Sequence, residues 1–85
     1  MYVDLLYAAN IYLSMAEEVL QSFGVRVKTL RIESRISQEK LAEMAGFHRT
    51  YIGMIERGER NISLKNISLL AKALNKSMSD LLEGL

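Results

Sequence analysis

The sequence predicts an all-α protein, and three observations carry that expectation. Proline is absent from all 85 residues. No stretch alternates apolar and polar side chains long enough to suggest a strand, whereas apolar residues recur at steps of three and four, the spacing of one helix face. Serines, glycines and an asparagine fall where those stripes begin and end, as helix boundaries require. With 49% apolar residues, the chain has material for one core. A domain this small is only marginally stable alone, so dimerisation would help it.

In chain order, Tyr2, Leu5, Ala9, Tyr12, Ala16, Val19 and Phe23 form the first stripe, widened by Leu6, Leu13 and Leu20. Residues 1–21 therefore read as an N-terminal helical extension, with a break near Asn10 or Ser14 as the alternative. Ser22 is the expected cap of a second helix, which turns Phe23, Val27 and Leu30 inward, ends near Arg35 and opens a main domain over residues 22–85. Ser37 caps a short helix carrying Leu41, Ala42 and Ala45, and Gly46 stops it. The next helix begins around His48 and runs to about Arg57, with Ile52 and Ile55 inward and Gly58 as its stop. Ser63 caps a further helix with Leu64, Ile67, Leu70, Ala71 and Leu74 on its core face, closed by Asn75 in a left-handed conformation. A last short helix starts at Ser77, with Asp80 as capping-box partner, and brings Leu81 and Leu82 to the core.

Composition narrows the function. Without cysteine there is no disulfide scaffold and no thiolate for a zinc finger, a redox site or a nucleophile. The apolar opening carries Asp4 and lacks both a basic leader and an apolar run of about 18 residues. Neither export nor membrane insertion is expected, and a reducing cytoplasm fits. One histidine is poor support for a metal site, and no Ser–His–Asp set, glycine phosphate loop or acid/base pair stands out. No enzyme, metal or cofactor is expected. The net charge is only +1, but it is unevenly spread. Asp4, Glu17 and Glu18 face no lysine or arginine before residue 24, while residues 24–65 hold nine basic residues against five acidic ones. The basic excess sits where a surface meeting phosphates would be needed.

The stretch SQEKLAEMAGFHRTYIGMIE from Ser37 to Glu56 makes the sharpest demand. Ala42 is small where two helices would cross, Gly46 supplies the positive φ of a tight turn, and Ile52 returns to the same core. Two helices joined by a short glycine-containing turn form a helix-turn-helix, although an ordinary helical hairpin has the same spacing. With Arg31, SQEKLAEMAG, the IERG ending at Gly58, SLLAKAL and the closing DLL, residues 22–83 resemble the phage repressor and Cro-like (Xre) helix-turn-helix family. The segment RTYIGMIERGERNISLKNI is most similar to the controller proteins of restriction–modification systems. The resemblance implies a five-helix lambda-repressor-like DNA-binding domain with an additional N-terminal helix. It implies a homodimer on double-stranded DNA with a two-fold operator, with phage- or plasmid-type repressors and antitoxin-like interaction modules as alternatives. In two places the chain departs from the family: Arg35 stands where a glycine often ends the first family helix, suggesting a different turn geometry, and the N-terminal extension is long. Met15 lies close to where many family members start, so residues 1–14 are either an upstream reading-frame extension or, as the three-four stripe favours, an added helix that serves as a dimer contact or as a cover over its own core.

Arg49 and Thr50 fall in the first turn of the expected recognition helix, where arginine pairs with guanine O6 and N7 and threonine offers a hydroxyl or meets a thymine methyl, with a phosphate contact or a solvated charge as the alternative for Arg49. Gly53, leaving room for close approach, and Met54 follow one turn on as further base-reading candidates, with a partly core position as the alternative for Met54. Tyr51, His48, Arg57, Arg60, Asn61, Lys65 and Asn66 are candidates for the phosphate backbone, with packing for Tyr51, helix initiation for His48 and plain solvation for the charged residues as alternatives. The family resemblance adds a role for Gln38 in contacting phosphate while steadying the recognition helix, and an Arg31–Glu56 brace that does not read bases. It also places a dimer interface around Leu69, Met78, Leu82 and Leu85. Glu39 and Glu43 share one helix face; they read as a solubilising surface, with contact to RNA polymerase as the alternative.

Overall fold

A computed structural model describes residues 4–85, and it holds five helices: α1 (Leu5–Glu33), α2 (Gln38–Ala45), α3 (Arg49–Glu56), α4 (Leu64–Ala73) and α5 (Met78–Leu81). Among the described residues there is no strand. Tyr2, the first member of the expected stripe, lies outside them.

The expected additional helix is present, but it is the beginning of α1 rather than a separate element. Asp4 caps the helix by accepting from the Leu6 and Tyr7 amides, and the chain then stays helical through Asn10, Ser14 and Ser22. A serine caps only if its own backbone leaves the helix. With no glycine or proline before Gly24 to weaken the i→i−4 ladder, Ser22 remains inside it. At 1.5 Å per residue α1 is roughly 43 Å long, and it sets the 53 Å long axis of a molecule 24 × 21 Å in its other directions.

The core lies entirely on the C-terminal side of this rod. Phe23, Val27 and Leu30 of α1 meet Leu41, Ala42 and Ala45 of α2, Ile52 and Ile55 of α3, Ile67, Leu70 and Ala71 of α4, then Leu74 and Leu81. Leu64 and Leu82, expected inward, are exposed. Leu64 is the first residue after its cap and falls before the helix turns toward the core.

Helix ends follow local chemistry. Ser37, Ser63 and Ser77 each accept from an amide three residues on, and Ser77 and Asp80 complete a capping box. The Ser77 backbone amide donating to the Asp80 carboxylate, helped by the Ser77 side chain, holds that carboxyl below its usual range. Arg35 takes the left-handed conformation, φ 59°, while the Arg35 and Ile36 amides bond back to Ile32 O and Arg31 O. This is the Schellman closure that a glycine makes without steric cost, so the turn keeps its usual geometry despite the substitution. Asn75 closes α4 the same way at φ 55°.

Candidate nucleic-acid interface

The α2–turn–α3 unit is a helix-turn-helix held on three sides. Gly46, at φ 78°, ends α2, and Phe47 and His48 lead into α3. His48 caps α3: its Nδ1 accepts from the Thr50 amide at 3.1 Å. Ile52 and Ile55 fix one face of α3 in the core. Its far end is locked by a polar network. Arg31 grips Glu56 with two bonds, Nε to Oε2 at 2.7 Å and Nη2 to Oε1 at 3.1 Å. Arg31 also donates to Ile36 O, and Gln38 Nε2 donates to Glu56 Oε1 at 3.0 Å. One buried carboxylate thus joins the end of α1, the start of α2 and the end of α3. Burying Glu56 would be costly without such bonds, and with them its position is tightly specified.

A second clip ties α3 to α4. The Tyr51 ring meets Phe47 edge-on, with centroids 5.0 Å apart, and carries the Arg60 guanidinium 5.7 Å from its centroid. Its hydroxyl accepts from Asn66 Nδ2 at 3.1 Å. Tyr51 and Asn66 therefore spend part of their hydrogen-bonding capacity on each other, and Gln38 spends part of its own on Glu56.

What remains outward is the first turn of α3. Arg49 and Thr50 are exposed, and Arg49 Nε lies a loose 3.8 Å from Glu39 Oε1, a pair screened by water and readily exchanged for another anion. Met54 is half-buried. Gly53 is buried, and a Cβ there would come within 3.1 Å of Arg57 Nη1, so the gap expected at this glycine is already roofed by Arg57. Arg57 is fixed by Glu59, whose oxygens both lie 2.9 Å from its Nε. That bond raises the Arg57 pKa and holds the Glu59 carboxyl below its ordinary value. Arg60, Asn61 and Lys65 are exposed on the following loop and the start of α4. Glu43 lies 3.8 Å from Lys40 Nζ. Leu69 and Met78 are half-buried, and Leu82 and Leu85 are exposed at the far end of the domain.

Three supporting contacts escaped the sequence reading. Gly24 lets α1 and α3 touch, since a Cβ there would strike the carbonyls of Ile55 and Glu56. Gly58 does more than stop α3: at φ 74° it also lies against the backbone of Gln21, 2.8 Å from where its Cβ would be. Arg26 donates to Asp80 O at 2.8 Å and pairs with Glu83 at 3.0 Å, tying α1 to α5. Glycines inside stripes and an arginine beside one are the only traces these contacts leave in sequence.

Comparison with known proteins agrees with this geometry. Residues 27–81 match the family model described as helix-turn-helix. The chain is 46% identical to control protein C.SmaI of Serratia marcescens over 76% of its own length and 77% of that protein. It is 47% identical to control protein C.BamHI of Bacillus amyloliquefaciens over 81% and 86%. Among solved structures, the restriction–modification controller protein C.AhdI of Aeromonas hydrophila superposes with a TM-score of 0.75 at 45% identity, over 76% of this chain and 94% of that one.

Proposed function

The chain belongs to the helix-turn-helix family, and we propose that it is a sequence-specific DNA-binding transcriptional regulator, the dimeric controller of a restriction–modification system. The observation that carries this reading is the division of labour on α3. Its inner face and far end are fixed by Ile52, Ile55 and the Arg31–Glu56–Gln38 network, while Arg49 and Thr50 are exposed in its first turn, with only a loose Arg49–Glu39 pair beside them. A helix held this way can enter a major groove without losing further conformational freedom, and its arginine offers the two-pronged donor that guanine accepts. Arg57, Arg60, Asn61 and Lys65 flank the reading turn and supply backbone contacts that set register. The similarity to control proteins supports the regulatory role.

The second half of the reading is a homodimer around Leu69, Met78, Leu82 and Leu85, which would set two α3 helices on half-sites about one helical turn, roughly 34–36 Å, apart. An occupied operator then blocks or recruits RNA polymerase according to its position. Selection of tight binders from a randomised duplex pool tests the proposal. The expected product is a two-fold sequence whose affinity falls steeply with salt. Failure to enrich any sequence over the starting pool would contradict it.

A further inference from the structure

The N-terminal half of α1 is an apolar helix that its own fold does not use. Leu5 is 81% exposed and Tyr12 71%, and Leu6, Tyr7, Leu13, Met15 and Val19 are also exposed. Leu5, Tyr12, Met15 and Val19 lie along one side of the helix, a contiguous apolar strip rather than the singly scattered leucines of an ordinary surface.

The chemistry of this surface selects its occupant. No lysine or arginine precedes residue 24, and the polar side of the helix carries Asn10, Ser14, Glu17, Glu18 and Gln21. Such a helix is repelled by phosphates, so it is not a DNA arm, and it lacks the basic flank with which helices settle on anionic lipid. It is also too short on apolar residues to cross a membrane. Its pattern suits another helix of the same kind. Leu5, Ala9, Tyr12, Ala16 and Val19 follow steps of four and three, a coiled-coil seam in which large and small side chains alternate. Antiparallel packing of two such seams sets each alanine against a large residue and keeps the Glu17–Glu18 pairs of the two chains apart. The seam is also continuous with the proposed two-fold face: Met15 and Val19 share a cavity of about 220 Å³ with Gly84 and Leu85. A second one, of about 140 Å³, is lined by Val19, Leu20, Leu82 and Leu85.

We infer that the N-terminal half of α1 is covered by a second copy of this chain, extending the homodimer contact well beyond α5. The inference rests on the proposed dimer for the neighbouring α5 surface and is independent of DNA recognition. The test compares the full chain with a Leu5→Glu, Tyr12→Glu variant by sedimentation without DNA, by thermal melts at dilutions where both are monomeric, and by binding to duplexes enriched from the randomised pool. Both substitutions lie on exposed positions, so the dilute melt should be unchanged while the dissociation constant for self-association rises about tenfold or more. An unchanged dissociation constant would overturn the inference. So would a lowered melt at dilution, which would mean that the residues cover their own core. Capture of the wild-type chain by phosphatidylglycerol vesicles, relieved in the variant, would also overturn it by assigning the surface to lipid. If the wild-type chain self-associates through this segment but binds no duplex, the regulator reading fails and the inference stands. If it binds duplex and the variant self-associates equally well, the inference fails and the regulator reading stands.

Discussion

The two halves of α1 carry one apolar stripe into opposite surroundings. From Phe23 to Leu30 the stripe is buried against α2–α5, whereas from Leu5 to Val19 the same face of the same helix stays exposed, with Met15 and Val19 alone reaching the cavities beside the C-terminal Leu82, Gly84 and Leu85. Periodicity is identical in the two halves. The difference lies in what stands opposite, because apolar burial is non-directional and needs a partner surface to remove water from. In the C-terminal half that partner is the helix-turn-helix, and glycines at 24 and 58 bring it into direct contact with α1. In the N-terminal half most of the stripe is left exposed, which is the basis for the proposed contact with a second copy of the chain.

Breaking the packed half should have the largest effects. Arg31→Ala leaves the Glu56 carboxylate buried with Gln38 as its remaining side-chain partner, and the expected loss is about 3–5 kcal/mol of folding stability by urea denaturation. A loss below about 1 kcal/mol would mean that the network is not needed to hold α3. Leu30→Ala, in a site only 3% exposed, should cost about 2–5 kcal/mol. The turn after α1 offers a change of opposite sign. Arg35→Gly relieves a left-handed conformation and should raise stability by about 0.5–1 kcal/mol, less than the full strain because glycine also has more freedom in the unfolded chain. The smallest effect belongs to the unpacked half. Leu6→Ala should shift the melt of dilute protein by no more than about 0.5 kcal/mol, with a larger apparent loss appearing only at concentrations where the chain associates. Equal losses for Leu30→Ala and Leu6→Ala at dilution would abolish the distinction between the halves.

How much of this was legible in the sequence follows the range of each interaction. Caps at Ser37, Ser63 and Ser77 and the closures at Gly46 and Asn75 are decided within a few residues, and the structure has them where the sequence implied. The core stripes of α2 and α3 were equally readable. Ser22 was misleading because a serine suits a cap or a tolerant helix interior, and only the uninterrupted backbone ladder decides between them. Contacts between distant segments were invisible: Arg57 over Gly53, Asn66 on Tyr51, Arg26 on α5, and the meeting of Gly24 with α3. Within the candidate site, the sequence suggested which side chains carry DNA-binding chemistry. Supporting roles were readable for Gln38, through the family resemblance, and for Tyr51, as packing, but the Glu56 and Asn66 side chains that they bond were not, because partners depend on three-dimensional neighbours.

In the proposed function Arg49 and Thr50 are the exposed, base-reading turn of an α3 held elsewhere by its core face and its far end. Competition gel shifts on Arg49→Ala test this most directly, using an operator obtained by duplex selection and a random duplex of equal length at one salt concentration. The account predicts a loss of about 1–3 kcal/mol on the operator, relaxed preference at one base position and nearly unchanged affinity for random DNA. Equal weakening on both duplexes would contradict it, making Arg49 a backbone contact and moving sequence reading elsewhere on the protein.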